Sequence, residues 1–354
     1  MFSGKRAGIG LVIFTLATTG AGGAGAASPP VLQRVPAPAQ SGAAQVRVWL
    51  QRVVAWSSSY FDLMHEQGAV LHDVNDRVQA TLRAQPVDPA EVKAWADAQR
   101  AKLAVIDEKA VAMQGRPFPA MPAYVAIEPK AQKMIAAYAK LPGVVSRQLR
   151  EDSTLVRSVI DQIVLASGGG ADARKLLTQQ TLQLDIAMIE GENTVVEASN
   201  ASLPENDPQW DLATCSEESN LAAVDLLRFA LRGMTGEAGD DRVAVAKSIH
   251  IHALRVSALS GDMVRDANAK IAALPRASGA DTKRLFGTER QVLELYLQSA
   301  ANEGEISKGL DQVAVRLGDQ AVPVKDAFDA FSALATLEQQ RGVFVEQRRQ
   351  LLTR

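Results

Sequence analysis

Between residues 42 and 85 the chain has no proline, and Val46, Leu50, Val53, Tyr60, Met64, Leu71, Val74 and Val78 recur at steps of three, four or seven. That spacing keeps one side of a helix apolar and predicts a single long amphipathic helix. Trp49, Trp56, Leu63 and Val70 recur every seven residues beside this seam. They widen the apolar stripe enough to meet more than one partner helix. At 1.5 Å per residue such a helix is about 60 Å long. The expected assembly is therefore all-α: an elongated bundle of long antiparallel amphipathic helices.

Further helices follow from the same periodicity and from its breaks. Asp88-Pro89-Ala90-Glu91 has the order of a helix start, with Asp as cap, Pro at the first helical position and Glu placed to reach back. That helix should run to about residue 113, where Pro117, Pro119 and Pro122 break the pattern. The segment around Phe118 reads as a connector, with a recognition loop as the alternative. Helices are expected over 129–141, ended by Pro142-Gly143, and over 144–167, 171–200, 210–235, 240–274, 281–318 and 322–353. Gly304 and Gly309 are candidate interruptions in 281–318. Alanine is abundant, and Val, Ile and Thr do not gather into alternating runs, so composition favours helix over sheet. Gly168-Gly169-Gly170 marks the expected boundary between an N-terminal bundle (43–167) and a C-terminal bundle (171–354). A phosphate-cradling loop is not supported there, because no strand precedes the glycines and no Lys-Ser or Lys-Thr pair follows.

The first 27 residues have the tripartite order of a cleavable signal peptide. Lys5 and Arg6 come first, then an apolar run over 9–16, then small residues with Ala24-Gly25-Ala26 as an A-x-A-like site. The run is shorter than the roughly 20 residues needed to span a bilayer. Residues 28–42, with Pro29, Pro30, Pro36 and Pro38, read as a Pro-rich flexible leader. The expected location is periplasmic or secreted, with no integral span after cleavage. Cys215 is the sole cysteine, so the fold has no internal disulfide. A net charge of −2 with interspersed signs excludes the basic stripe of a nucleic-acid binder.

The residues that could carry chemistry are few. His65 and His72 share a polar helix flank, while His250 and His252 point about 160° apart and cannot chelate together. No Glu stands three residues before any histidine, and His65 lacks the second histidine of a zincin pair, so no metal and no cofactor is expected. The acidic residues are more informative. Asp185 and Glu192 fall on the apolar side of the 171–200 helix, and Asp152, Glu289, Glu303 and Glu338 sit on the apolar stripes of theirs. An embedded carboxylate must be paired, protonated or turned to water. One reading makes these groups interhelical ion pairs that fix register. The other gathers Asp185 and Glu192 with Arg228 or His252 around a polar ligand-binding cavity. Trp49 and Trp56, in a stripe wider than one seam, are the candidates for a partner surface or for self-association. The function these features favour is non-catalytic binding of a partner protein, a peptide or a small ligand. The alternatives are an acid-base enzyme built on the embedded carboxylates and a periplasmic small-molecule sensor.

Overall fold

Asp88 accepts a hydrogen bond from the Ala90 N–H at 2.9 Å, and Pro89 occupies the first turn behind it, as its fixed φ and missing donor favour. Glu91 does not complete the reciprocal cap: it lies 4.0 Å from Arg77 of the preceding helix. The fold is described from a computed structural model covering residues 38–83, 88–120, 129–201, 203, 207–235, 242–274 and 280–353. The expected signal peptide and the first ten residues of the expected leader lie outside the described residues. The remainder of that leader, from Pro38, is helical.

The described residues form helices α1 (Pro38–Leu82), α2 (Pro89–Gln114), α3 (Pro129–Tyr138), α4 (Leu141–Ser167) and α5 (Ala171–Asn200). They continue as α6 (Pro208–Thr235), α7 (Arg242–Ala273), α8 (Ala280–Gly318), α9 (Val324–Ala333) and α10 (Ala335–Thr353). There is no strand among them, and the architecture is an all-α bundle. Pro142 does not end a helix as expected; it lies in the first turn of α4, where its missing N–H costs nothing. Neither Gly304 nor Gly309 interrupts α8. Gly309 instead makes room: a Cβ there would stand 2.1 Å from Leu334 Cδ2.

Side-chain pairs fix the direction of packing. Arg242 reaches the carbonyl of Leu317, His250 meets Asp311, and Ser307 donates to Ala253 O, so advancing along α7 retreats along α8. Asn193–Asn220 and Glu190–Arg228 make α5 and α6 antiparallel in the same way, and Ser146–Ala110 and Arg157–Asp107 do so for α2 and α4. Arg242 also donates to the carbonyls of Arg316, Asp319 and Val322, satisfying the orphan acceptors at the end of α8.

Two apolar cores result. Tyr60, Leu63, Val74, Leu103, Ile106, Val156, Ile160 and Ile163 belong to the first, and Leu226, Ile249, Val256, Met263, Ile306, Leu310 and Val313 to the second. Each such side chain contributes about 1.5–3 kcal/mol on burial. The α5 helix serves both: Leu177, Leu184, Val195 and Val196 face the first core, Ile186 and Ile189 the second. The glycine triplet thus turns the chain between α4 and α5, which pack on each other. In the first core Gln67 Nε2 donates to Leu149 O at 2.6 Å and to Ser153 Oγ at 3.0 Å, and the buried Asp152 carboxylate accepts from Gln148 Nε2 at 2.8 Å.

Candidate functional site

The second core differs along one seam, which holds the two arginines that are buried among the described residues. On α8, Tyr296, Ser299, Glu303, Ile306 and Leu310 recur at steps of four and three and are all buried. On α10, Leu334, Glu338, Arg341, Val345 and Arg348 repeat the same spacing from the turn before the helix. The α6 helix is capped by Asp207, which accepts from the Gln209 N–H at 2.9 Å, and contributes buried Gln209, Ser216 and Ser219. Three helical seams that would ordinarily carry Leu and Ile therefore converge with serines, carboxylates and guanidinium groups.

Glu303 is wholly buried and meets Arg341 in a two-point contact, Nε donating to Oε1 at 2.7 Å and Nη2 to Oε2. Arg341 Nη1 also donates to Glu338 Oε2 at 2.6 Å and to Ser216 Oγ at 3.5 Å, and Nη2 donates to Ser219 Oγ at 3.2 Å. Burial pushes the Glu303 carboxyl above the usual range against the pull of Arg341. Burial also works against the Arg341 cation, but Glu303 and Glu338 outweigh it and hold the guanidinium charged. Seven residues on, Arg348 is equally buried. Its Nη1 donates to Ser299 Oγ at 2.7 Å, and its Cζ lies 4.5 Å from the centre of the Tyr296 ring. Burial pulls its pKa from 12.5 to about 10, so it remains a cation at neutral pH. Nε and Nη2 of Arg348 have no hydrogen-bond partner among the described residues.

Of the four residues singled out from sequence for a cavity, Arg228 and His252 both act on Asp225 of α6, and Asp185 and Glu192 both lie on α5. Arg228 is exposed and pairs with Glu190, not with Asp185 or Glu192. Spacing put Arg228 at a stripe edge, and its long side chain follows that edge out to water. Asp185 is half-buried and Glu192 buried, both on α5. His252 belongs to the α6–α7 contact: Nδ1 is 2.6 Å from Glu218 and Nε2 3.7 Å from Asp225. Burial lowers its pKa, but hydrogen bonds to Asp225 and Glu218 outweigh this and raise it. Both ring nitrogens face carboxylates, which favours the doubly protonated ring and leaves no lone pair free for a metal.

Trp56 is buried and Trp49 half-buried, both against aromatic residues of the same chain. Phe118 packs edge-on against both, with ring centroids 6.3 and 5.0 Å away, and Tyr138 lies 5.6 Å from Trp56. Trp49 Nε1 donates to Pro119 O at 3.0 Å. The connector after α2 thus supplies the extra partner that the width of the stripe demanded. Glu289, expected on an apolar stripe, is exposed.

Arg341 and Arg348 were missed in the sequence because Arg in a helix normally reads as surface. The signal was their heptad spacing in register with Leu334, Glu338 and Val345. A small acidic group, Asp207, Asp211, Asp262 and Asp266, lies at the α6–α7 contact with Lys270 and Arg265 as partners. Among the described residues no three His, Cys, Asp or Glu side chains form a metal-holding group, and no helix is long and apolar enough to cross a membrane. No family model matches the chain, and neither a curated protein nor a solved structure matches it.

Proposed function

We propose that this chain is an exported, non-catalytic binding protein that holds a small polar ligand in its C-terminal bundle, in the seam between α6, α8 and α10. The observation that carries this reading is the ionic lining of that seam, from Glu303 and Arg341 to Arg348. The first core embeds the Asp152 carboxylate but, among the described residues, no arginine, so a buried cation is peculiar to the seam of the second core. Buried ion pairs commonly stabilise a fold no better than apolar residues of the same volume. Interiors between helices are, however, where bundles hold ligands.

Binding without chemistry is favoured by the state of the remaining reactive groups. His252 is engaged by carboxylates on both sides, and burial pushes the Cys215 thiol well above its ordinary range, keeping it protonated. A small ligand is favoured over a partner protein at the aromatic stripe, because Phe118 and Tyr138 already cover Trp56. Export rests on the order of charged, apolar and small residues over 1–27.

The test is native mass spectrometry on protein recovered from its export compartment with no ligand added, paired with unfolding temperatures across a panel of small acids, amines and sugars. A mass excess over the processed chain, or a saturable thermal shift, supports the reading. A bare chain mass together with a flat panel would overturn it.

A further inference from the structure

Arg348 presents an imbalance that the rest of the seam does not share. Arg341 spends Nε, Nη1 and Nη2 on acceptors, among them both seam carboxylates. Among the described residues Arg348 has no carboxylate within ion-pair distance, and it uses one nitrogen, on the neutral Ser299 hydroxyl. Its other two nitrogens, Nε and Nη2, lie on one edge of the guanidinium, where their N–H bonds run parallel. That edge is the one that grips a carboxylate at two points. Both of its donors are out of water and without an acceptor among the described residues. Leaving them so is costly, because an orphaned donor on a buried charge forfeits its hydration. The cation cannot escape by losing its proton at neutral pH. The geometry is also held: the Tyr296 ring stacks at 4.5 Å and Ser299 fixes the opposite side of the group.

We propose that the Nε–Nη2 edge of Arg348 is a clamp for the carboxylate of a small organic acid, seated in the seam beside Tyr296 and Ser299. This rests on the binding reading above and names its ligand class. The acid's two oxygens would accept one hydrogen bond each from Nε and Nη2, and its charge would balance the guanidinium. A neutral polar molecule or a chloride ion satisfies only part of that demand, since neither offers two coplanar anionic oxygens.

The experiment titrates the purified chain with sodium acetate at constant ionic strength, sodium chloride making up the balance. Binding is read by unfolding temperature and by the line width of 13C-labelled acetate. The expected result is a saturable rise and a saturable broadening in the native chain. Both should vanish in Arg348→Met, which fills similar space without donors. Arg348→Lys keeps the charge but not the two-donor edge, and should weaken acetate binding by about tenfold or more. Arg348→Met should fold, because replacing a buried charge by an apolar side chain of similar volume is often neutral or stabilising. Should it not fold, the lysine variant carries the comparison. No saturable acetate response in the native chain, an undiminished response in either variant, or equal effects from chloride would overturn the clamp. A co-purified ligand whose binding is untouched by Arg348→Met removes the clamp and leaves the binding reading standing. If neither a bound mass nor any thermal response is found, both fall.

Discussion

Arg341 closes two nitrogens on Glu303 across the α8–α10 contact, with both side chains out of water. The pair joins the last helix to the body of the second bundle, and serines 216 and 219 of α6 complete its donors. Removing one partner strands the other as a buried, uncompensated charge. Arg341→Met alone should therefore destabilise the chain by about 3–5 kcal/mol, whereas Glu303→Leu with Arg341→Met should recover most of that loss. Urea unfolding of the two singles and the double gives the coupling directly. Additive losses in the double would mean that the charges do not compensate each other.

His252 ties α7 to α6 through Glu218 and Asp225, and its stability contribution has a defined sign with pH. Its folded pKa is raised above the ordinary 6.5, so the stabilisation is complete below that value and is lost as pH rises through the folded pKa. Asp225 works the other way: burial raises its pKa, but hydrogen bonds from His252 and Ser248 lower it overall. Its contribution is lost only as pH falls through that lowered value. His252→Gln should cost most near pH 5–6 and progressively less toward pH 9, a tenfold gain in proton affinity on folding being worth about 1.4 kcal/mol. NMR titration of the ring is the direct check. A His252 pKa at or below 6.5 would remove the basis of the prediction.

Helix positions were legible because apolar spacing and proline placement act locally. Asp88-Pro89 and the seam from Val53 to Val78 needed no tertiary information to be read. The pairing of charges was not legible. Periodicity places Glu303 and Glu338 on inward faces, yet only the packing of α10 on α8 decides that Arg341 is their counter-charge. Arg228 shows the converse, since a stripe-edge position left open whether its side chain turned to the core or to Glu190. Gly309 looked like a helix break because glycine weakens helices, but its role is the close approach of Leu334.

Asp211 is buried in the first turn of α6, and its Oδ2 lacks a hydrogen-bond partner among the described residues. Burial first, then Asp266, Asp262 and Asp207, push its pKa from 3.8 to about 7, with Arg265 opposing. An acid whose folded pKa is raised binds more protons folded than unfolded between those two values. Stability should accordingly fall as pH rises from about 4 to about 7, with the full penalty above. At about 1.4 kcal/mol for each tenfold change in proton affinity, a rise of that size sets a ceiling of about 4 kcal/mol on the penalty. Asp211→Asn keeps the shape and removes the charge, so it should be near neutral at pH 4 and stabilising at pH 8. Equal stability of the two chains at pH 8 would show that Asp211 ionises there without cost.

Phe118 covers the aromatic end of α1 from a non-helical stretch in which Pro117 and Pro119 flank it. Its ring meets Trp49, Trp56 and Tyr138, and the backbone beside it accepts from Trp49 Nε1. Deleting a fully buried phenylalanine ring costs about 3–5 kcal/mol; for this half-buried one, Phe118→Ala should cost about 2–3 kcal/mol. The same change opens Trp56 to water, so tryptophan emission should shift to longer wavelength in the folded state. It also uncovers an apolar stripe, and sedimentation should then reveal more concentration-dependent self-association than in the native chain. An unshifted emission maximum with unchanged stability would mean that the connector does not hold the stripe, and that Trp49 and Trp56 are free to meet a partner after all.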